Sequence, residues 1–154
     1  MLSKAQARGI LDHVNADSLI DLAKSMVKIP SPRLHESELA DWIADYLVKA
    51  GFEVEIQEIV EADIRSKNVI GRIRGNGGGF NLLLLGHLDV AAAGFSPPYA
   101  ELWTHRPLEP EVEAGWLYGW GAGNMKSGAA AMISAAKAVL DSGISLEGDL
   151  SVAC

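Results

Sequence analysis

Residues 81–90 read Asn-Leu-Leu-Leu-Leu-Gly-His-Leu-Asp-Val, and this stretch decides the fold. Four consecutive leucines followed by glycine predict a β-strand that is buried on both faces, as in the sheets of α/β proteins. His87 and Asp89 follow the strand directly, and ligands of α/β sheets bind at the carboxyl ends of strands. Side chains two residues apart in an extended segment point the same way, so one can bind a metal while the other orients it. Taken alone, such a pair is more often a histidine satisfied at a strand end and an aspartate that caps a turn.

The sequence around this strand predicts helices that alternate with strands. Apolar residues recur at helical spacing in some segments and alternate with polar residues in others. Helices are predicted at 17–28, 36–50 and 126–142, and strands at 52–57, 68–74 and 150–153. Residues 90–117 show little periodicity, which is typical of a long functional or disordered loop. This alternation favours a three-layer α/β/α architecture.

Composition and charge limit the classes of function. The chain of 154 residues has a net charge of −7, which argues against nucleic acid or an anionic membrane as a partner, because both require clustered cations. Cys154 is the one cysteine, so no intrachain disulfide can form. The apolar stretch 128–140 contains Lys137 and is too short to span a bilayer, and no signal peptide is recognisable at the N-terminus. We therefore expect a cytoplasmic enzyme.

A glycine-rich segment, residues 118–128, reads Tyr-Gly-Trp-Gly-Ala-Gly-Asn-Met-Lys-Ser-Gly and opens into a predicted helix. It is not a phosphate-binding P-loop, because Met125 stands where that motif needs a glycine before Lys-Ser. It is not a dinucleotide fingerprint either, because Asn124 replaces the last glycine. From the residues alone, the segment is a tight turn before a helix.

In order along the chain, several segments resemble the zinc amidohydrolases that include acetylornithine deacetylase, succinyl-diaminopimelate desuccinylase, aminoacylase and the glutamate carboxypeptidases. The segments are 86–90, 103–108 and 115–128, and residues 29–32 and 51–54 resemble the opening of that family. The resemblance covers nearly the whole chain from about Leu19. It implies a zinc-exopeptidase α/β/α sandwich, of which residues 1–154 form one partial catalytic domain, the N-terminal half.

The resemblance also implies roles for three residues. His87 would be a ligand of one of two zinc ions, and Asp89 would be the catalytic residue that hydrogen-bonds the imidazole and fixes its tautomer. Position 124 is an aspartate in the family and bridges the two metals, whereas here it is Asn124. Two zinc ions roughly 3.5–4 Å apart repel each other, and an amide oxygen adds no negative charge to offset that repulsion. We therefore expect weakened binding, above all of the second zinc.

The other site residues of the family lie beyond Cys154. The resemblance implies a Glu-Glu pair after the strand that begins at Leu150, one glutamate as general base and the next as a zinc ligand. A further acidic ligand, a second histidine and a separate lid or dimerisation domain would follow. The implied reaction is hydrolysis of an amide bond in N-acyl amino acids or small peptides, and residues 1–154 alone are expected to be inactive.

Two alternatives stay open at this point. The chain could be a non-catalytic binding or interaction module built on the same sheet, or a truncated product without a role of its own. In either case a half-sheet exposes an unpaired strand and an apolar face, which invites pairing with another chain. We therefore expect an oligomer or a complementing partner chain.

Overall fold

The computed structural model describes residues 3–61, 64–91 and 99–154. The helices of this part of the chain are α1 (Lys4–Leu11), α2 (Ala16–Lys28), α3 (Ser37–Lys49) and α4 (Ser127–Asp141). Its strands are β1 (Glu53–Glu61), β2 (Ile64–Ile73), β3 (Leu82–Leu85), β4 (Glu111–Glu113), β5 (Trp116–Tyr118) and β6 (Leu150–Ala153). A 3₁₀ turn covers Tyr99–Leu102, and a π turn covers Ala122–Lys126 immediately before α4.

Four strands form the main sheet in the order β1-β2-β6-β3. The β1–β2 and β2–β6 pairs are antiparallel, and β6 runs parallel to β3 with Ala153 opposite Leu85. The carboxyl ends of β3 and β6 therefore lie side by side. The short strands β4 and β5 form a separate antiparallel hairpin.

One face of the main sheet is covered by α3 and α4, and α2 packs against α4. The apolar stripes of these helices meet the sheet residues Val69 and Val152, both fully buried, in a single core. Alternate residues along a strand point to opposite faces, so the neighbours of these valines face away from the core. Among them, Ile70 and Ser151 line an open cleft together with Leu83. The described residues thus supply the sheet and one helix layer of the sandwich.

The prediction that β3 is buried on both faces is wrong. Leu84 packs against the core, but Leu82, Leu83 and Leu85 are 57%, 56% and 70% exposed. The reason is topological: β3 is an edge strand with β6 as its hydrogen-bonded neighbour, and no described element covers its outer face.

The other predicted helices and strands are confirmed, with boundaries shifted by a few residues. Two features were not predicted. Helix α1 buries none of its residues and begins with a capping box between Ser3 and Gln6. The β4–β5 hairpin lies within the aperiodic stretch 90–117, and its strands of three residues are too short to show an alternation. No helix in the described ranges has the length and apolar character needed to cross a membrane.

Candidate metal centre

Two loops meet at the carboxyl end of β3. The first follows β3 and carries His87 and Asp89, and the second is the π turn that carries Asn124. Gly121 precedes the π turn in a left-handed conformation with φ of 78°. A Cβ atom at this position would collide with the side chain of Val90 in the first loop, so glycine is required for both the turn and the contact.

The structure brings together the three site residues predicted from the sequence. The Nδ1 atom of His87 lies 3.0 Å from the Asp89 carboxylate oxygen Oδ1 and 3.0 Å from the Asp89 backbone oxygen. The Nε2 atom of the same ring lies 3.0 Å from Oδ1 of Asn124. With the proton on Nδ1, the ring donates to Asp89 and the lone pair of Nε2 is directed at the Asn124 oxygen; with the proton on Nε2, the ring donates to Asn124 instead.

This geometry fits part of a metal site. Two electron-pair donors at this distance attract each other only when a proton or a cation lies between them. Ligands bound to one tetrahedral zinc at about 2.0–2.1 Å are themselves about 3.3 Å apart, which is close to the 3.0 Å between His87 Nε2 and Asn124 Oδ1. Within the described ranges, no group of three or more His, Cys, Asp and Glu side chains is placed to hold a metal ion. In this part of the chain, His87 Nε2 and Asn124 Oδ1 are two atoms whose spacing suits a shared metal ion, and the other ring nitrogen of His87 contacts Asp89.

The site opens into a cleft of about 170 Å³ that is lined by His87, Asp89, Glu36 and Cys154, among others. The side chains of His87 and Asp89 are 44% and 43% exposed, so solvent and a small ligand can reach the imidazole. Glu36 is buried, and both of its carboxylate oxygens are occupied: one accepts from the backbone N–H of Leu34 at 2.7 Å and the other from Ser66 Oγ at 2.9 Å. Glu36 therefore ties Leu34 and Ser66 together at one wall of the cleft.

Sequence reasoning missed that Cys154 lines the same cleft. The parallel pairing of β3 with β6 places the residue after Ala153 beside the loop that begins at Gly86, and Gly86 donates its N–H to the Ala153 oxygen at 2.9 Å. Burial raises the pKa of the Cys154 thiol to about 11, because a thiolate would lose its hydration there. The thiol stays protonated near neutral pH. Recognising that β3 and β6 are parallel neighbours would have predicted its location.

Lys126 was seen in the sequence only as part of the glycine-rich segment. Its side chain is completely buried, and its Nζ donates to the backbone oxygen of Ile29 at 2.7 Å. The ammonium also lies 5.9 Å from the centre of the Trp120 ring. Burial lowers the pKa of Lys126 to about 8, because desolvation disfavours the charged form.

His105, in contrast, precedes the β4–β5 hairpin and packs against it. Its Nε2 is 3.0 Å from Oε2 of Glu113, and its ring stacks on Tyr118 at a centroid distance of 3.8 Å.

Sequence comparison gives one family match and a set of relatives. Residues 83–154 match the model of peptidase family M20/M25/M40. The chain is 34% identical over 139 residues to N-formyl-4-amino-5-aminomethyl-2-methylpyrimidine deformylase of Bacillus subtilis, a match that covers 87% of this chain and 31% of that protein. It is 39% identical over 127 residues to succinyl-diaminopimelate desuccinylase of Methylorubrum extorquens, with 80% and 31% covered. The chain thus spans about a third of the length of these relatives.

Solved structures share the fold at lower identity. The di-peptidase Dug1p of Saccharomyces cerevisiae superposes with a TM-score of 0.78 at 15% identity, covering 95% of this chain and 33% of that one. The M20 family metallo-carboxypeptidase Sso-CP2 of Sulfolobus solfataricus gives a TM-score of 0.72 at 20% identity, covering 89% and 30%.

The matched segment contains every residue of the candidate centre, and the fold of the chain is found as a partial domain in the solved structures. Together with the sequence relatives, these matches identify a peptidase family M20 domain in this chain, present as a partial domain.

Proposed function

We propose that the whole protein is a zinc-dependent hydrolase of amide bonds in N-acyl amino acids or small peptides, of the deacylase or carboxypeptidase type. The observation that carries this proposal is the approach of His87 Nε2 to Asn124 Oδ1 at 3.0 Å, with Asp89 on the other ring nitrogen. The names of the relatives, a desuccinylase and a deformylase, support removal of an acyl group as the reaction class.

The three residues have distinct roles in this proposal. His87 and Asn124 hold a zinc ion through Nε2 and Oδ1, and two zinc ions are expected in a complete site. Asp89 accepts the Nδ1 proton of His87, which fixes the tautomer and increases the electron density at Nε2. A bound zinc supplies Lewis-acid catalysis, since it polarises an amide carbonyl and makes water more nucleophilic. The neutral Asn124 leaves the positive charge of the second zinc poorly compensated.

The remaining parts of the site come from further polypeptide in this proposal. The described residues supply no third ligand of the His, Cys, Asp or Glu type beside His87 and no free carboxylate that can serve as the general base. A second chain or a further part of the protein would provide the acidic ligands and the base at the open carboxyl ends of β3 and β6. Residues 1–154 alone would then bind metal weakly and hydrolyse nothing, and the working compartment would be the cytoplasm.

Calorimetric titration with zinc tests the metal site first. We expect heat from zinc binding to the chain and a loss of that heat in a His87→Ala variant, with His105→Ala as a control that removes a histidine outside the site. A panel of N-succinyl, N-formyl and N-acetyl amino acids and dipeptides then tests the reaction. Turnover by residues 1–154 alone would contradict the expected inactivity, and equal zinc binding by the two alanine variants would contradict the metal site.

A non-catalytic binding module is the second candidate, and Asn124 is the observation that favours it. A relative that has lost hydrolysis no longer needs a bridging carboxylate at position 124. This candidate predicts that zinc adds no heat even at millimolar concentration. It also predicts that Asn124→Asp does not create a site.

A further inference from the structure

Segment 29–32, which follows α2, contacts both loops of the candidate metal centre. Its sequence is Ile-Pro-Ser-Pro, and the two prolines restrict φ and keep the chain extended. It forms no helix and runs beside the loop after β3, where Pro32 and Val90 pair as a parallel β-bridge. A segment with few accessible conformations in this place can act as a rigid support.

Segment 29–32 contacts the loop after β3, which carries His87 and Asp89, through Ser31. This serine is fully buried, and its Oγ donates to the backbone oxygen of Leu88 at 2.7 Å. The backbone oxygen of Ser31 in turn accepts from the N–H of Val90 at 2.9 Å. Since Leu88 lies between His87 and Asp89, these bonds fix the direction of the backbone that carries both side chains.

Segment 29–32 contacts the π turn through Lys126. The Nζ of this buried lysine donates to the backbone oxygen of Ile29 at 2.7 Å. The backbone N–H of Lys126 donates to the backbone oxygen of Gly121 at 2.9 Å. Lys126 thus closes the turn that carries Asn124 and ties it to the segment that holds the His87 loop. A buried amine is costly unless it is hydrogen-bonded, so the contact with Ile29 is expected to be maintained.

From this arrangement we infer that Ser31 and Lys126 are positioning residues that set the separation of His87 Nε2 and Asn124 Oδ1. The inference rests on the proposed function in so far as this pair binds metal, but the positioning itself is a property of the metal-free chain. Neither residue touches the imidazole or the amide, and each acts through the backbone of a loop.

The test compares Ser31→Ala and Lys126→Met with matched controls. Ser142→Ala removes a hydroxyl that also donates to a backbone oxygen at 2.7 Å, but from the end of α4. Lys137→Met removes a lysine on α4 that is paired with Asp141. Ser31→Thr keeps the hydroxyl and serves as the rescue variant. Circular dichroism first establishes that each variant is folded at the temperature of measurement.

Two nuclear magnetic resonance readouts follow. Long-range proton–nitrogen spectra report the tautomer and chemical shifts of the His87 ring in the absence of metal. Titration with cobalt(II) reports the paramagnetic shifts of His87 and Asn124. We expect the ring resonances to move in Ser31→Ala and Lys126→Met, the apparent cobalt affinity to fall by about threefold or more, and Ser31→Thr and both controls to resemble the wild type.

The outcomes separate the two proposals. If the His87 ring is unchanged in both Ser31→Ala and Lys126→Met, or moves equally in the controls, the positioning inference is overturned even when cobalt binds. If the ring moves in these two variants but cobalt has no effect on the wild type, the positioning inference holds and the metal-dependent function fails.

Discussion

The imidazole of His87 is held from both sides, and this determines what it can do. Asp89 accepts at Nδ1, and Asn124 presents an oxygen to Nε2. A ring that is fixed in tautomer and orientation loses little conformational entropy when it binds a metal. The weak point of the site is therefore the charge at position 124 and not the placement of the histidine.

Asn124→Asp is expected to tighten zinc binding. The carboxylate adds a negative charge at the atom that faces His87 Nε2, and we expect the affinity to rise about tenfold or more. Calorimetry or competition with a chromophoric chelator measures it. Asn68→Asp is the matched control, because Asn68 lines the same cleft and the substitution adds the same charge. An equal gain in both variants would mean that general charge attraction is responsible, and no gain at Asn124 would refute the charge argument.

Asp89→Asn is expected to weaken zinc binding by about 10- to 100-fold. The amide no longer offers a charged acceptor to Nδ1, so the proton can move to Nε2 and block the lone pair that binds metal. The same titration measures the effect, and the His87 tautomer gives an independent spectroscopic readout. Asp141→Asn, on α4 beside Lys137, controls for the loss of one negative charge. Unchanged affinity and tautomer in Asp89→Asn would contradict the positioning role of Asp89.

At the residue scale, the structure brings together the three residues singled out from the sequence, whereas their surroundings were not predicted. His87 and Asp89 stand out because they follow an apolar strand, whereas Asn124 was singled out by the resemblance to the zinc amidohydrolases. Cys154 and the buried Lys126 were missed, because their burial results from contacts with residues distant in sequence. No local pattern encodes those contacts.

The π turn before α4 is the element on which the site depends most. It docks on the loop after β3 through Gly121, whose missing Cβ leaves room for Val90. It docks on segment 29–32 through Lys126. The indole N–H of Trp120 adds a bond to the oxygen of Ala91 at 3.2 Å. These contacts tie the turn to both neighbouring segments.

The buried Lys126 makes the stability of this element depend on pH. Its folded pKa is lowered from 10.5 to about 8, so between these values the unfolded chain binds a proton that the folded chain has released. The contribution of Lys126 therefore increases the free energy of unfolding as pH rises from about 8 to about 10.5. Chemical denaturation across this interval should show the wild type gaining stability relative to Lys126→Met.

The raised pKa of the Cys154 thiol lowers the free energy of unfolding as pH rises over similar values. Both proteins retain Cys154, so the difference between wild type and Lys126→Met reports the lysine alone. Lys137→Met controls for the removal of a positive charge from α4. A difference between wild type and Lys126→Met that stays constant over the interval would contradict the burial of a lysine with a lowered pKa.

At the element scale the predictions succeeded where periodicity is strong and failed where tertiary context decides. Helices α2, α3 and α4 each present an apolar stripe, so their positions were predicted within a few residues. The leucine strand β3 was predicted correctly as a strand but wrongly as buried on both faces. Its composition is that of a central strand, whereas in the described part of the chain it is an edge strand.

The exposed leucines of β3 affect how the whole molecule associates with other chains. An edge strand with unpaired backbone groups and apolar side chains tends to pair with another chain. The opposite edge of the sheet, β1, carries Glu53, Glu55 and Glu58, which disfavour such pairing. The exposed leucines and the incomplete ligand set lie at the same side of the sheet, so one partner could complete both.

We therefore expect the purified chain to elute with a mass above 16.4 kDa in size-exclusion chromatography with light scattering. Leu85→Lys should lower the mass towards that of a single chain, because a lysine on an edge strand opposes pairing. Val60→Lys, on β1, is the control, since Val60 is also exposed but lies on the acidic edge. A monodisperse single chain in the wild type would contradict association through β3.

The central claim is that His87 and Asn124 bind the same metal ion, and anomalous diffraction at the zinc edge from crystals grown with zinc tests it most directly. We predict a single strong anomalous peak within about 2.0–2.2 Å of both His87 Nε2 and Asn124 Oδ1, with Asp89 still bonded to Nδ1. A peak between His105 and Glu113 instead, or no peak at His87 at saturating zinc, would contradict the account.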